Sequence, residues 1–197
     1  MRDRESPLED IREIRTMMEK SSRFLSLSGL SGVAAGFIGT AAALGANAVI
    51  DSGAEEPAKV LAIAGIGLCA MVIAVAASVL LSVRLARKRG QNPWGVSARD
   101  LVQEMATPLV AGGLFCCVLV MHRMYVAIPG SLLVFYGLSL AAAGKSSRAE
   151  VRWLGWVEIA LGMLAFTFTQ FALLYWAAGF GIVHILYGGL MYFKYEL

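Results

Sequence analysis

Glu158 is the side chain in this sequence best placed to do chemistry. It stands inside the apolar run 153–176, where a carboxylate must reach water, snorkel to a headgroup or find a partner. Arg152 precedes it by six positions, about 9 Å along an ideal helix. That spacing predicts an acid in the first turns of a span, paired with an interfacial Arg or Lys. The functional reading of the same residue is a proton, cation or substrate site. Gln170, His184 and Asn47 are the other polar side chains that could line such a path.

The two histidines, His122 and His184, are expected towards the same membrane face. Joint ligation of haem or a metal would need more than two ligands at unrelated spacing. They are read as polar residues at helix ends, with neither cofactor nor metal predicted. The aromatic series Phe166, Phe168, Phe171, Tyr175, Phe180 and Tyr187 could line an apolar pocket, although bundle core or lipid contact is the simpler role. Cys69, Cys116 and Cys117 lie in apolar runs without a CxxC pair, and read as small buried side chains. The chain has no HExxH, GxSxG or GxxxxGK[ST] motif and no acid dyad at i, i+4 within an apolar run, so no catalytic residue is assigned.

The elements that must position Glu158 follow from composition. Hydrophobic residues make up 58% of the 197-residue chain and charged ones only 16%, against about 25% charged in soluble domains. Several apolar runs approach or exceed the ~20 residues that span a bilayer as a helix. The predicted fold is an all-α integral membrane protein, a six-transmembrane-helix bundle of three antiparallel hairpins with both termini cytoplasmic. Residues 1–24 form a cytoplasmic amphipathic helix, with Ile11, Ile14, Met17 and Met18 on one face. Residues 25–197 form the membrane domain, with spans near 27–50, 58–83, 101–121, 128–143, 153–176 and 179–193. Ser97 and Asp100 resemble a capping pattern at the start of the third span. Trp153, Trp156, Tyr175 and Trp176 bracket the fifth as an aromatic belt would.

Charge sets the orientation. The segment 84–100 carries Arg84, Arg87, Lys88, Arg89 and Arg99, which cannot sit cheaply in hydrocarbon. Placing it in the cytoplasm puts 15 of the 17 Lys and Arg residues on that side. The expected location is the cell inner (plasma) membrane, with the basic segment against anionic lipid headgroups. The dispersed charge gives no nucleic-acid signal.

Gly32, Gly36, Gly39 and Gly45 punctuate the first span at spacings that let helix backbones approach closely, within the monomer or between copies. Polar residues inside the spans are sparse. The first functional expectation is therefore a small multi-pass membrane protein acting by protein interaction or assembly, as a homo-oligomer or with a cytoplasmic partner at its cytoplasmic face. The alternative is a small-solute or ion transporter or channel subunit built around Glu158.

Overall fold

The structure, a computed structural model, describes residues 11, 14, 28–90, 92–145 and 147–197. Among these residues the chain is all helical. Helices α1 (Gly29–Ile50), α2 (Glu56–Lys88), α3 (Val96–Met121), α4 (Ile128–Ala143) and α5 (Ala149–Thr167) are followed by a segmented rod. The rod comprises α6 (Ala172–Ala177), a π-helical stretch π1 (Ala178–Val183) and α7 (His184–Tyr195). The amphipathic helix expected over 1–24 lies outside the described residues, except that Ile11 and Ile14 are helical and exposed.

Among the described residues five stretches are long and apolar enough to cross a membrane: 29–50, 56–88, 98–121, 125–143 and 169–195. Helix α5 has comparable length at 19 residues but carries Glu150, Arg152 and Glu158. Helix α2 is 33 residues long, about 50 Å by ideal rise, so it must tilt or project beyond a hydrocarbon layer of ~30 Å. It runs past Val83, placing Arg84, Arg87 and Lys88 on its last turns. Gly90, at φ 66°, then supplies the left-handed residue that ends it. Helix α3 begins at Val96 after Gly95, earlier than the expected Ser97 cap; the Ser97 side chain lies outside the described residues.

The last two helices differ from the expectation in position. The chain leaves the helix at Phe168 (φ −118°, ψ 70°), makes a tight turn through Thr169–Phe171, and then runs helically to Tyr195. The expected break near 177–179 is instead the π-helical stretch inside the rod. The physical reason is local. Thr167 and Thr169 are β-branched hydroxyl residues with weak helix preference, and Gln170 is an exposed polar side chain. Together they end α5, whereas Tyr175 and Trp176 are half-buried in the interior.

Two glycine-lined contacts hold the centre. Helices α4 and α5 meet with Gly137 against Gly155 and Gly130 against Gly162; a Cβ on Gly155 would lie 2.6 Å from the Gly137 carbonyl oxygen. Helix α1 meets π1 and α7 through Gly29, Gly32, Gly36 and Gly39, opposed by Gly181 and Gly188. In an apolar solvent such close backbone approach supplies the dispersion energy that hydrophobic burial cannot. Helix α2 packs on α1 and helix α3 on α4, so both stand outside the central four.

One end of the molecule is drawn together by the C-terminal residues. The Glu196 carboxylate accepts hydrogen bonds from the Gly29 N–H and the Ser28 hydroxyl, capping α1 with an anion where the helix dipole favours one. Arg89 donates to the Tyr195 carbonyl at 2.6 Å, and the Arg148 guanidinium lies 3.6 Å over the Tyr195 ring. Glu150 accepts from the Lys194 ammonium and the Tyr195 hydroxyl, each at 2.7 Å.

Two expectations follow. Gly155→Ala pushes a methyl into backbone that cannot give way and should destabilise the protein by about 1–3 kcal/mol. Gly65→Ala, in open space on α2, should be neutral or stabilising by up to about 1 kcal/mol. Denaturation in mild detergent measures both, and equal effects would refute the packing argument. Glu150 sits in the polar stretch ahead of Trp153. Its hydrogen bonds from Lys194 and Tyr195 hold its carboxyl well below the ordinary 4.5, at about 2. The folded-state value is depressed, so this stabilisation is complete above the ordinary carboxylate range and erodes as pH falls from 4.5 towards 2. The melting-temperature gap between wild type and Glu150→Gln should therefore be constant above about pH 5 and shrink below it.

Candidate functional site

Glu158 is the tenth of the 19 residues of α5, which places it at mid-helix. It is fully buried, lying between the glycine contacts at Gly155 and Gly162. The partner it meets is His184, the sixteenth of 27 residues in the helical stretch 169–195. Glu158 Oε1 lies 3.3 Å from His184 Nδ1. The expected pairing with an interfacial Arg or Lys gives way to a pair between two helix middles, because the earlier break at Phe168 moves His184 from a helix end to a helix centre.

The imidazole is held on both nitrogens. Nδ1 lies 2.8 Å from the Gly179 carbonyl oxygen, five residues back within the π-helical stretch. A carbonyl only accepts, so Nδ1 carries the hydrogen. Nε2 lies 2.9 Å from the Tyr136 hydroxyl on α4; in the neutral ring it accepts from that hydroxyl, and in the imidazolium it donates to it. The Nδ1 hydrogen points at Gly179, and neither Glu158 oxygen accepts a hydrogen bond among the described residues. The pair can hold one proton in two ways: a carboxylic acid beside neutral imidazole, or a carboxylate beside imidazolium. A buried carboxylate is costly unless it is paired, and the ionisable group beside Glu158 among the described residues is the His184 imidazole.

Aromatic rings pack on the imidazole of this pair. Phe180 is their hub, with centroids 5.0 Å from Tyr136, 5.1 Å from Trp176 and 5.8 Å from the His184 ring, which it stacks upon. The Trp176 indole N–H is buried and unpartnered among the described residues. Gly179 lets the acid sit where it does: a Cβ there would overlap Glu158 Oε2 and the Leu133 side chain. The π-helical stretch contributes as well, since a widened turn changes which groups face inward between α6 and α7.

The other predicted residues do not join this site. Asn47 is exposed and donates to Asp51 at 2.9 Å, and Gln170 is exposed in the turn after α5. His122 is exposed just past α3, while both His184 nitrogens are already engaged, so the histidine pair considered for haem or metal is not assembled. Among the described residues no group of three or more His, Cys, Asp or Glu could hold a metal ion. Gly32, Gly36 and Gly39 lie against π1 and α7, whereas Gly45 makes ordinary contact with Ile66 of α2. Arg84, Arg87, Lys88 and Arg99 are exposed, and Arg89 reaches Tyr195. The three cysteines are free, and Cys69 and Cys117 are exposed, contrary to the buried role expected.

Sequence reasoning missed Tyr136 and Gly179. A tyrosine in the middle of a short apolar run, away from both interfacial belts, was the available signal for the first. The paired glycines flanking Phe180 were the signal for the second. No protein-family model, curated protein or solved structure matches this chain.

Proposed function

We propose that this is an integral membrane protein that moves a small solute or ion, with the Glu158–His184 pair as its intramembrane polar site. The observation that carries the reading is the fully buried Glu158 carboxyl group, which accepts no hydrogen bond among the described residues and lies 3.3 Å from an imidazole. An ionisable pair in the middle of a membrane bundle is costly to maintain, and such groups mark ion paths and proton relays. Tyr136 extends the exchangeable-proton chain by one group on α4. The reading as an interaction or assembly protein rested on the sparseness of polar groups inside the spans. It loses ground once two of those groups are brought together at the centre.

In this reading six helices cross the inner (plasma) membrane and both termini are cytoplasmic. The positive-inside bias supports that orientation. So does the meeting of Ser28, Arg89, Arg148 and Glu196 at one end of the molecule, the end that carries the basic segments. Anionic lipid headgroups are the partners of exposed Arg84, Arg87, Lys88 and Arg99.

Both parts can be tested. With the native cysteines replaced, an impermeant maleimide applied to intact cells should label Ala54→Cys and spare Trp94→Cys; the opposite pattern reverses the orientation. In proteoliposomes containing a pH dye, an imposed pH gradient and membrane potential should drive proton movement through the wild type. Glu158→Gln should lower the rate at least about tenfold, as loss of the carrying group demands. Equal rates in wild type, Glu158→Gln and empty vesicles would overturn the transport reading.

A further inference from the structure

We propose that α7 is a gate: pivoting about π1 away from α5, it opens a path from the basic end of the molecule to the buried Glu158 carboxyl group. This inference rests on the transport reading and names the element that controls access to the same site. The two halves of the rod are held by different partners. Helix α6 belongs with α4 and α5, since Ala172, Tyr175 and Trp176 pack with Leu133 and Ala165. Helix α7 belongs with α1, because a Cβ on Gly188 would overlap the backbone of Val33 and Gly29. Between the halves stands π1, a widened helical turn with glycine at two of its six residues. Such turns are places where helices bend. It is pinned on both sides: Gly39 of α1 meets the Phe180 backbone, and Gly179 meets Glu158 and Leu133. A segment held in place between two differently packed helices can serve as a pivot.

Helix α7 faces α4 and α5 with one stripe of side chains, His184, Tyr187 and Tyr195, at spacings i, i+3 and i+11. They close three successive layers. His184 meets Glu158 and Tyr136. Tyr187 packs on the apolar cluster that includes Leu140, Val151 and Leu154. Tyr195 donates to Glu150 and lies beneath the Arg148 guanidinium, while Lys194 donates to the same Glu150 oxygen. Glu150 and Glu158 stand eight residues apart on α5, about 12 Å, so the layers lead from the basic end to the buried acid. The apolar layer bars water from Glu158, and the polar layer holds it shut. Parting α7 from α5 separates side chains, whereas parting it from α1 would dismantle a backbone-to-backbone contact. The stripe is therefore where the molecule opens.

His184 is the first residue of α7, next to the pivot, and Tyr195 lies about 16 Å further along. A swing about π1 thus moves Tyr195 most and widens towards the basic end, where Glu158 then exchanges its proton with bulk water. The two ends of the molecule differ in a way that fits this direction. At the opposite end the described hydrogen bonds are local: Asn47 to Asp51, Lys59 to the Ile50 carbonyl and Thr167 to the Met163 carbonyl.

The test uses the full chain in proteoliposomes, with the native cysteines replaced by serine or alanine. Glu150→Cys and Lys194→Cys, whose native side chains touch, are bridged by a reversible bifunctional methanethiosulfonate. Bridging should lower proton flux at least about tenfold, as holding shut a step on which turnover depends demands, and reduction should restore it. The same bridge between Gly45→Cys on α1 and Ile66→Cys on α2 should leave flux unchanged. Independently of flux, Leu154→Cys should react with a small impermeant methanethiosulfonate about tenfold faster once Tyr195→Ala loosens the polar layer, and the Glu150–Lys194 position bridge should suppress that reaction.

Flux that survives the bridge while still depending on Glu158 overturns the gate and leaves the transport reading standing. Flux equal to that of empty vesicles in every variant removes the transport reading, and the Leu154→Cys reaction then decides the gate. Reaction unchanged by Tyr195→Ala and by the bridge overturns it; reaction that responds to both upholds it.

Discussion

A carboxyl group with no hydrogen-bond donor among the described residues, buried at the middle of its helix, is the constraint on which the rest of this structure depends. An arginine or lysine beside it would neutralise it; among the described residues Glu158 has neither. What it has is an imidazole held in one tautomer by a carbonyl, and a phenol on the far ring nitrogen. Such a group persists only if its neighbours cannot collapse away from it or replace it. The surrounding packing must therefore be rigid and must bring three different helices to one point.

The glycines provide that rigidity. Glu158 projects from α5 between the two positions at which that helix touches the backbone of α4, so the acid and Tyr136 ride on one tightly joined pair. His184 rides on the other pair, because α7 is pressed against α1 through Gly32 and Gly188. The contacts of His184 with Tyr136 and Glu158 therefore bridge two well-packed units. The electrostatic problem sits at the contact between them rather than inside either. This is where a small relative movement would change what the acid meets, whereas movement within a glycine contact would force backbone into backbone.

Much of the helical framework was legible in the sequence, because apolar runs of spanning length leave few alternatives to helices. The break between the last two helices was not legible from hydropathy. Tyr175 and Trp176 look like an interfacial belt, and only the π-helical stretch and the rings packed on Phe180 show them facing inward. Once the break moved to Phe168, the depth of His184 changed by about half a span, and its pairing with Glu158 followed. Glu158 was conspicuous as a lone acid in an apolar run. Its partners were not, because Tyr136 lies 22 positions before it and His184 lies 26 after it. Contacts at that separation depend on helix rotation and packing, which composition does not specify.

The C-terminal residues tie this buried chemistry to one end of the molecule. His184 and Tyr195 stand on the same helix, 11 residues and about 16 Å apart. A helix of this length moves as a rod, so a shift that withdraws His184 from Glu158 also moves Tyr195. Tyr195 is held through its carbonyl by Arg89, through its ring by Arg148 and through its hydroxyl by Glu150. Each of these contacts lies towards one end of the molecule, and each is a single interaction. Together they oppose the movement that the central pair would need. A rearrangement at the centre is thus bound to one at the surface by helix geometry alone.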